Sequence, residues 1–189
     1  HPDYLGFIFY ERSKRHFEGS IPTLSNSIKK VGVFVNAEQA FIRSMVEKHA
    51  LNAVQLHGDE SALDCEHLKD ILGPEIEIIK AFAISDDFDF SDLNVFTPFC
   101  DFFLFDTKGK ERGGNGILFD WNVLQRYDCE KPYFLSGGIG LEQSDQIKAF
   151  LNSKASEYCY AIDVNSKFES EPGIKKIKEL KNFIELTKT

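Results

Sequence analysis

The sequence predicts an α/β chain of repeated βα units around a parallel sheet. Two observations carry this. Seven short apolar runs alternate with helix-length segments, and the runs are apolar nearly throughout. Strands covered on both faces read that way, whereas a strand with one wet face alternates. In order, the runs are Tyr4–Tyr10, Val31–Val35, Ala53–Leu56, Glu77–Phe82, Phe102–Asp106, Tyr133–Ser136 and Ala161–Val164. After the second, Glu38–His49 sets Phe41, Ile42, Met45, Val46 and His49 on one helical face. After the third, Ser61 is placed to cap Ala62–Leu72, with Leu63, Leu68, Ile71 and Leu72 turned inward. Leu141–Leu151 brings Ile147, Phe150 and Leu151 to one face. The last helix is expected to open at Pro172, a favourable first-turn residue, and to repeat Ile174, Ile177, Leu180 and Ile184. Asp86–Phe96 lacks a clear helical period. Such a series either closes as a (β/α)8 barrel or lies open and doubly wound. A barrel needs one more unit than the seven visible, and its place would be first.

With 189 residues, the chain is expected to be one domain spanning 1–189. A 42% hydrophobic content with 18 Phe excludes disorder. The 22 Lys+Arg against 30 Asp+Glu leave a net charge of -8, which disfavours non-specific binding to nucleic acid or an anionic membrane. No apolar stretch approaches the ~20 residues that span a bilayer. No secretory signal is visible either. Cys65, Cys100, Cys129 and Cys159 lie 35, 29 and 30 residues apart, and the five His follow no ligand spacing. Neither a metal site nor a disulfide framework is expected, and the thiols read as reduced ones of a cytoplasmic protein.

In either architecture, functional side chains gather beyond the carboxyl ends of the strands. The Ser136-Gly137-Gly138-Ile139-Gly140 turn there suits an anion, because glycines let backbone N–H groups approach closely and the following helix adds its dipole. The plainer reading is a tight turn. Asn165 and Ser166 after the last strand add two short hydrogen-bonding side chains, and the two loops together favour a phosphate. Asp106, at the end of an FFLF run, suits a general acid or base; otherwise it caps a helix or pairs with Lys108 or Arg112. Asp163 suits a substrate amine or hydroxyl. Arg15 suits a bidentate grip on a carboxylate, or is a solvated loop arginine. His57 reads more readily as a packed or capping histidine than as a catalyst. Gly113–Gly116 is either a lid or a plain turn.

The strings GFIFYERSKR, KKVGVFVN, VQLHGDE, DFFLFDTKG, GGNGILFDW, YFLSGGI, AIDVNSKFE and PGIK resemble the phosphoribosylanthranilate isomerases of tryptophan biosynthesis. The resemblance runs in order from residue 4 to the C-terminal helix. It implies a (β/α)8 barrel carrying units two to eight, with the first strand and helix upstream of His1, and a reaction without metal or cofactor. That reaction is the Amadori rearrangement of N-(5-phosphoribosyl)anthranilate to 1-(2-carboxyphenylamino)-1-deoxyribulose 5-phosphate. By this resemblance Asp106 is the general acid, and Arg15 grips the anthranilate carboxylate. Asp163 lies near the anthranilate ring and amine, while Gln55 and His57 line the pocket. Gly137, Gly138, Asn165 and Ser166 hold the phosphate. The partner implied is a small molecule, with oligomeric state left open.

Two departures stand out. The family's general base is a Cys in a Lys-Ile-Cys-Gly-type motif, which residues 1–189 do not contain, and none of the four cysteines sits where it would substitute. Lys167 and Phe168 replace the usual small Gly after the last-strand Ser, and Ser-Lys-Arg replaces Ser-Pro-Arg. The added Lys167 is placed to assist phosphate binding. The rival expectations are a phosphate-binding barrel fragment without catalysis and another sugar-phosphate isomerase or lyase.

Overall fold

The computed structural model describes residues 1–107 and 120–187. They divide into two compact units, one of His1–Ala81 with Val95–Phe102, the other of Phe82–Asn94 with Phe103–Thr189.

In the first unit the strands are β1 (Tyr4–Ile8), β2 (Lys29–Phe34), β3 (Ala53–Leu56) and β4 (Glu77–Ile84, whose residues to Ala81 belong here). They pair in parallel, with Val33 beside Gln55, and Leu56 beside Lys80. Parallel neighbours require crossovers; helices α1 (Gln39–His49) and α2 (Ala62–Leu72) supply those from β2 to β3 and from β3 to β4, while residues 9–28 carry the chain from β1 to β2 without a helix. Helix α1 ends on Ala50 in the left-handed region, φ 48°, with Lys48 in its last turn, where a cation suits the dipole. Helix α2 opens with a capping box: Ser61 Oγ accepts from Asp64 N–H, and the Asp64 carboxylate accepts from Ser61 N–H. Phe34, Ala53, Val54 and Ile78 have no exposed surface.

Two inward expectations for α2 fail. Leu63 and Ile71 face outward, and Cys65 with Leu68 are the buried positions. The apolar residues of α2 surround more than one stripe, so spacing alone did not select the buried one. Phe41 on α1 is likewise 42% exposed, although Ile42, Val46 and His49 are buried as expected.

The second unit holds the parallel strands β5 (Phe102–Thr107, from Phe103), β6 (Tyr133–Leu135) and β7 (Cys159–Ile162), with Phe105 beside Leu135, and Leu135 beside Ile162. An aromatic cluster packs one face of β5: the Phe105 ring lies 4.7 Å from Tyr133, 5.2 Å from Tyr127 and 5.9 Å from Phe90. Phe90 comes from a 3-10 turn at Phe90–Leu93, which is what Asp86–Phe96 forms instead of an α-helix. Leu141–Leu151 divides into a 3-10 turn (Leu141–Gln143) and helix α3 (Ser144–Leu151), which buries Ile147 and Phe150.

The C-terminal helix begins later than expected. Glu169–Glu171 (β8) and Ile174–Lys175 (β9) form an antiparallel hairpin, and helix α4 runs only from Ile177 to Thr187. Pro172-Gly173 is the turn, because Gly173 takes φ 87°, a left-handed conformation that would break a helix and suits a tight reversal. Ile174 and Ile177 are consequently exposed, and Phe183 anchors α4 by packing 5.0 Å from Phe168. Among the described residues no helix is long and apolar enough to cross a membrane.

Candidate active site

Asp106 follows Phe103, Leu104 and Phe105, all buried, near the end of β5. Side chains alternate along a strand. Phe103 and Phe105 take the aromatic face, so Asp106 shares the opposite face with Leu104. Ser136 N–H donates to the carbonyl of Phe105 at 2.8 Å, and Asp163 N–H to that of Leu135 at 2.8 Å. The registers therefore carry Asp106, Ser136 and Asp163 on consecutive strands at one level, the carboxyl ends of β5, β6 and β7. Ser136 Oγ then donates to Asp163 Oδ2 across 2.8 Å. Asp163 is thus held by a neighbour that is itself only 8% exposed.

The glycine turn leaves Ser136 directly. Gly137 takes φ 98° and Gly138 φ 64°, conformations L side chains rarely adopt, and Ile139 is buried behind them. Gly140 N–H is then capped by Gln143 Oε1 at 2.8 Å. After β7, Asn165 opens a 3-10 turn over Ser166–Phe168. An ion pair ties the two loops, Lys167 Nζ to Glu142 Oε1 at 3.1 Å; a hydrogen bond from its own main-chain N–H and then this pairing hold the Glu142 carboxyl below its ordinary range. Gly137, Gly138, Asn165 and Ser166 thus stand on adjacent, cross-linked loops.

In the first unit, the Gln55 amide N–H donates to His57 Nδ1 at 2.8 Å. Because an amide nitrogen only donates, a neutral His57 must carry its proton on Nε2. His57 N–H binds the carbonyl of Phe34 at 2.8 Å, fixing the residue at the end of β3. Arg15 lies elsewhere, on the loop after β1. That loop folds back so that His16 bridges Ile8, Phe17 packs 4.9 Å from Phe7, and Arg15 N–H donates to Ser13 Oγ at 3.1 Å. Lys108, Arg112 and Gly113–Gly116 lie outside the described residues.

Sequence reasoning passed over a buried network behind His57. Lys80, 3% exposed, donates to the carbonyl of Gly58 at 3.0 Å and pairs with Glu60 Oε2 at 3.1 Å. Glu60 in turn accepts from Gly58 N–H at 2.8 Å and Asn36 N–H at 2.7 Å. The available signal was a lone lysine inside the apolar run EIIKAF. The cysteines are not arranged as bases: Cys65 and Cys100 are buried, and burial pushes the Cys159 thiol up to about 12.

Residues 1–186 match the model of the N-(5'-phosphoribosyl)anthranilate (PRA) isomerase family. The chain belongs to that family. A PRA isomerase of Parabacteroides distasonis is 44% identical over 97% of this chain and 82% of its own length. The crystal structure of the PRA isomerase from Thermotoga maritima is 32% identical and superposes with a TM-score of 0.79, over 98% of this chain and 88% of that one. A further PRA isomerase structure, 30% identical with a TM-score of 0.75 over 98% of this chain and 87% of that one, holds reduced 1-(o-carboxyphenylamino)-1-deoxyribulose 5-phosphate. The fold is accordingly the parallel, TIM-barrel-like α/β fold of the PRA isomerases.

Proposed function

We propose that this chain, as a phosphoribosylanthranilate isomerase of tryptophan biosynthesis, turns N-(5-phosphoribosyl)anthranilate into 1-(2-carboxyphenylamino)-1-deoxyribulose 5-phosphate through general acid catalysis by Asp106. The observation that carries the residue assignment is the single level shared by Asp106, Ser136 and Asp163, flanked by the cross-linked loops after β6 and β7. A phosphate seated on Gly137, Gly138, Asn165 and Ser166 leaves the sugar to extend across the strand ends towards Asp106. The finer architecture we assign is one closed (β/α)8 barrel domain, with this chain supplying units two to eight.

Asp106 gives its proton to the ring oxygen as the C1'–O4' bond breaks, and the amine lone pair forms the C1'=N bond of a Schiff base. Loss of the C2' proton produces an enaminol. Its tautomerisation sets the ketone at C2' and returns a proton to C1'. Removal of the C2' proton falls to the family's cysteine base, whose motif is not among residues 1–189. Asp163 binds the anthranilate amine, Arg15 its carboxylate, and Gln55 with His57 line the pocket. The chemistry needs no metal or cofactor, the partner is a small molecule, and the place of action is the cytoplasm.

Asp106→Asn, in the protein as its gene encodes it, is expected to lower turnover by the ~10²–10⁴ typical of an acid–base group. Binding of inorganic phosphate is expected to persist in the same variant. Retained turnover would overturn the role of Asp106.

A further inference from the structure

The loop after β7 is braced from behind. The Pro172-Gly173 turn folds β9 back on β8 and delivers Lys175 to the start of the loop. Its ammonium donates to Glu169 Oε1 at 2.8 Å, to Asn165 Oδ1 at 2.5 Å and to the Asn165 carbonyl at 3.5 Å. The Glu169 side chain is only 4% exposed and also accepts from Gly173 N–H at 3.1 Å. One buried carboxylate therefore fixes both the turn and the lysine.

An ammonium group has donors and no acceptor. The end of the Asn165 amide facing Lys175 must consequently be the oxygen, and the NH2 end is turned the other way. An asparagine without such a partner flips its amide freely, presenting acceptor as readily as donor. A phosphate needs donors alone.

We propose that Lys175 is a positioning residue for substrate phosphate, locking the Asn165 amide so that its NH2 group faces the anion, with Glu169 holding the lysine in place. This rests on the assignment of Asn165 to the phosphate site. The lysine also sets a positive charge one hydrogen bond behind the amide, which polarises its N–H bonds towards an anion.

The test is the affinity for inorganic phosphate, by titration calorimetry, of Asn165→Ala, Lys175→Met, Lys175→Arg and the double variant Asn165→Ala/Lys175→Met. Lys175→Met is expected to weaken phosphate about tenfold and to raise KM for the phosphoribosyl substrate by a similar factor at nearly constant kcat. Lys175→Arg should restore most of the affinity, and the double variant should bind no worse than Asn165→Ala. Should Lys175→Met fail to fold, Glu169→Gln loosens the lysine without cutting its stem and is expected to weaken phosphate in the same direction. If Asn165→Ala weakens phosphate and Lys175→Met does not, the positioning role is wrong and the phosphate site stands. Additive losses in the double variant also overturn positioning, because the lysine would then act on phosphate directly. If Asn165→Ala leaves phosphate affinity unchanged, the phosphate-site assignment falls and the proposal with it.

Discussion

Ser136 Oγ stands 2.8 Å from Asp163 Oδ2 and donates to it, so the residue that opens the glycine turn also orients the carboxylate on the next strand. Ser136→Ala removes that donor from a site with little access to water. A hydrogen bond to a charged group contributes roughly 1.5–3 kcal/mol, and the half-buried position of Asp163 sets the expectation at about 1–2 kcal/mol. Thermal unfolding measures the loss. Kinetics should add a raised KM for the phosphoribosyl substrate, and an unchanged KM would separate Asp163 from substrate binding.

The Lys80–Glu60 pair predicts a larger effect. Removing one partner of a buried pair leaves the other charge uncompensated, which costs about 3–5 kcal/mol. Lys80→Met should therefore destabilise the protein strongly in urea titrations. The double variant Lys80→Met/Glu60→Leu should recover much of that loss. A double variant no better than the single would mean that the main-chain groups bonded by Lys80 and Glu60, the carbonyl of Gly58 and the N–H groups of Asn36 and Gly58, matter more than the two charges.

His49 makes stability depend on pH. Burial, then Lys48 and Lys30, lower its pKa below the ordinary 6.5, and its ring stacks 5.2 Å from Phe9. The unfolded chain thus takes up this proton before the folded one does, so stability is full above pH 6.5 and declines as pH falls from there through the lowered folded value. His49→Phe should flatten the fall in melting temperature as pH drops below 6.5. An unaltered slope would assign the acid sensitivity elsewhere.

The thiols should separate by reactivity, since only the thiolate attacks. With a disulfide reagent at pH 8, half-exposed Cys129 is expected to react first. Cys159, equally half-exposed but with its thiol pushed up to about 12 and so protonated, should lag well behind, and the enclosed Cys65 and Cys100 should follow only on unfolding. Labelling of Cys159 as fast as Cys129, read by peptide mass, would contradict the burial argument.

Strands such as β3 and β6 were legible because two-sided burial writes an uninterrupted apolar run, and Val54 or Phe103 had no wet face to betray, whereas β1 and β7 hold no buried residue and carry apolar runs without that cover. The end of the chain was not. Pro172 suits the first turn of a helix and the second position of a reversal equally well, and only the left-handed Gly173 decides between them. Asp106, Ser136 and Asp163 could each be placed at a strand end from sequence, but their common level needs the register. The contact of Lys175 with Asn165 was beyond reach, because ten residues of hairpin must close before the two meet.

Gly58 carries a consequence for how this chain can change. A Cβ there would overlap the Asn36 amide oxygen, the Asn36 main-chain nitrogen and a Glu60 carboxylate oxygen, while Asn36 itself sits at φ 49°. The space a side chain would need is already filled by the two residues that bond the loop together. Positions 36, 58, 60 and 80 therefore cannot drift one at a time. A neutral path through sequence space would have to alter them as a group, so that His57, standing at the edge of this set, inherits a fixed backbone whatever happens to the surface around it.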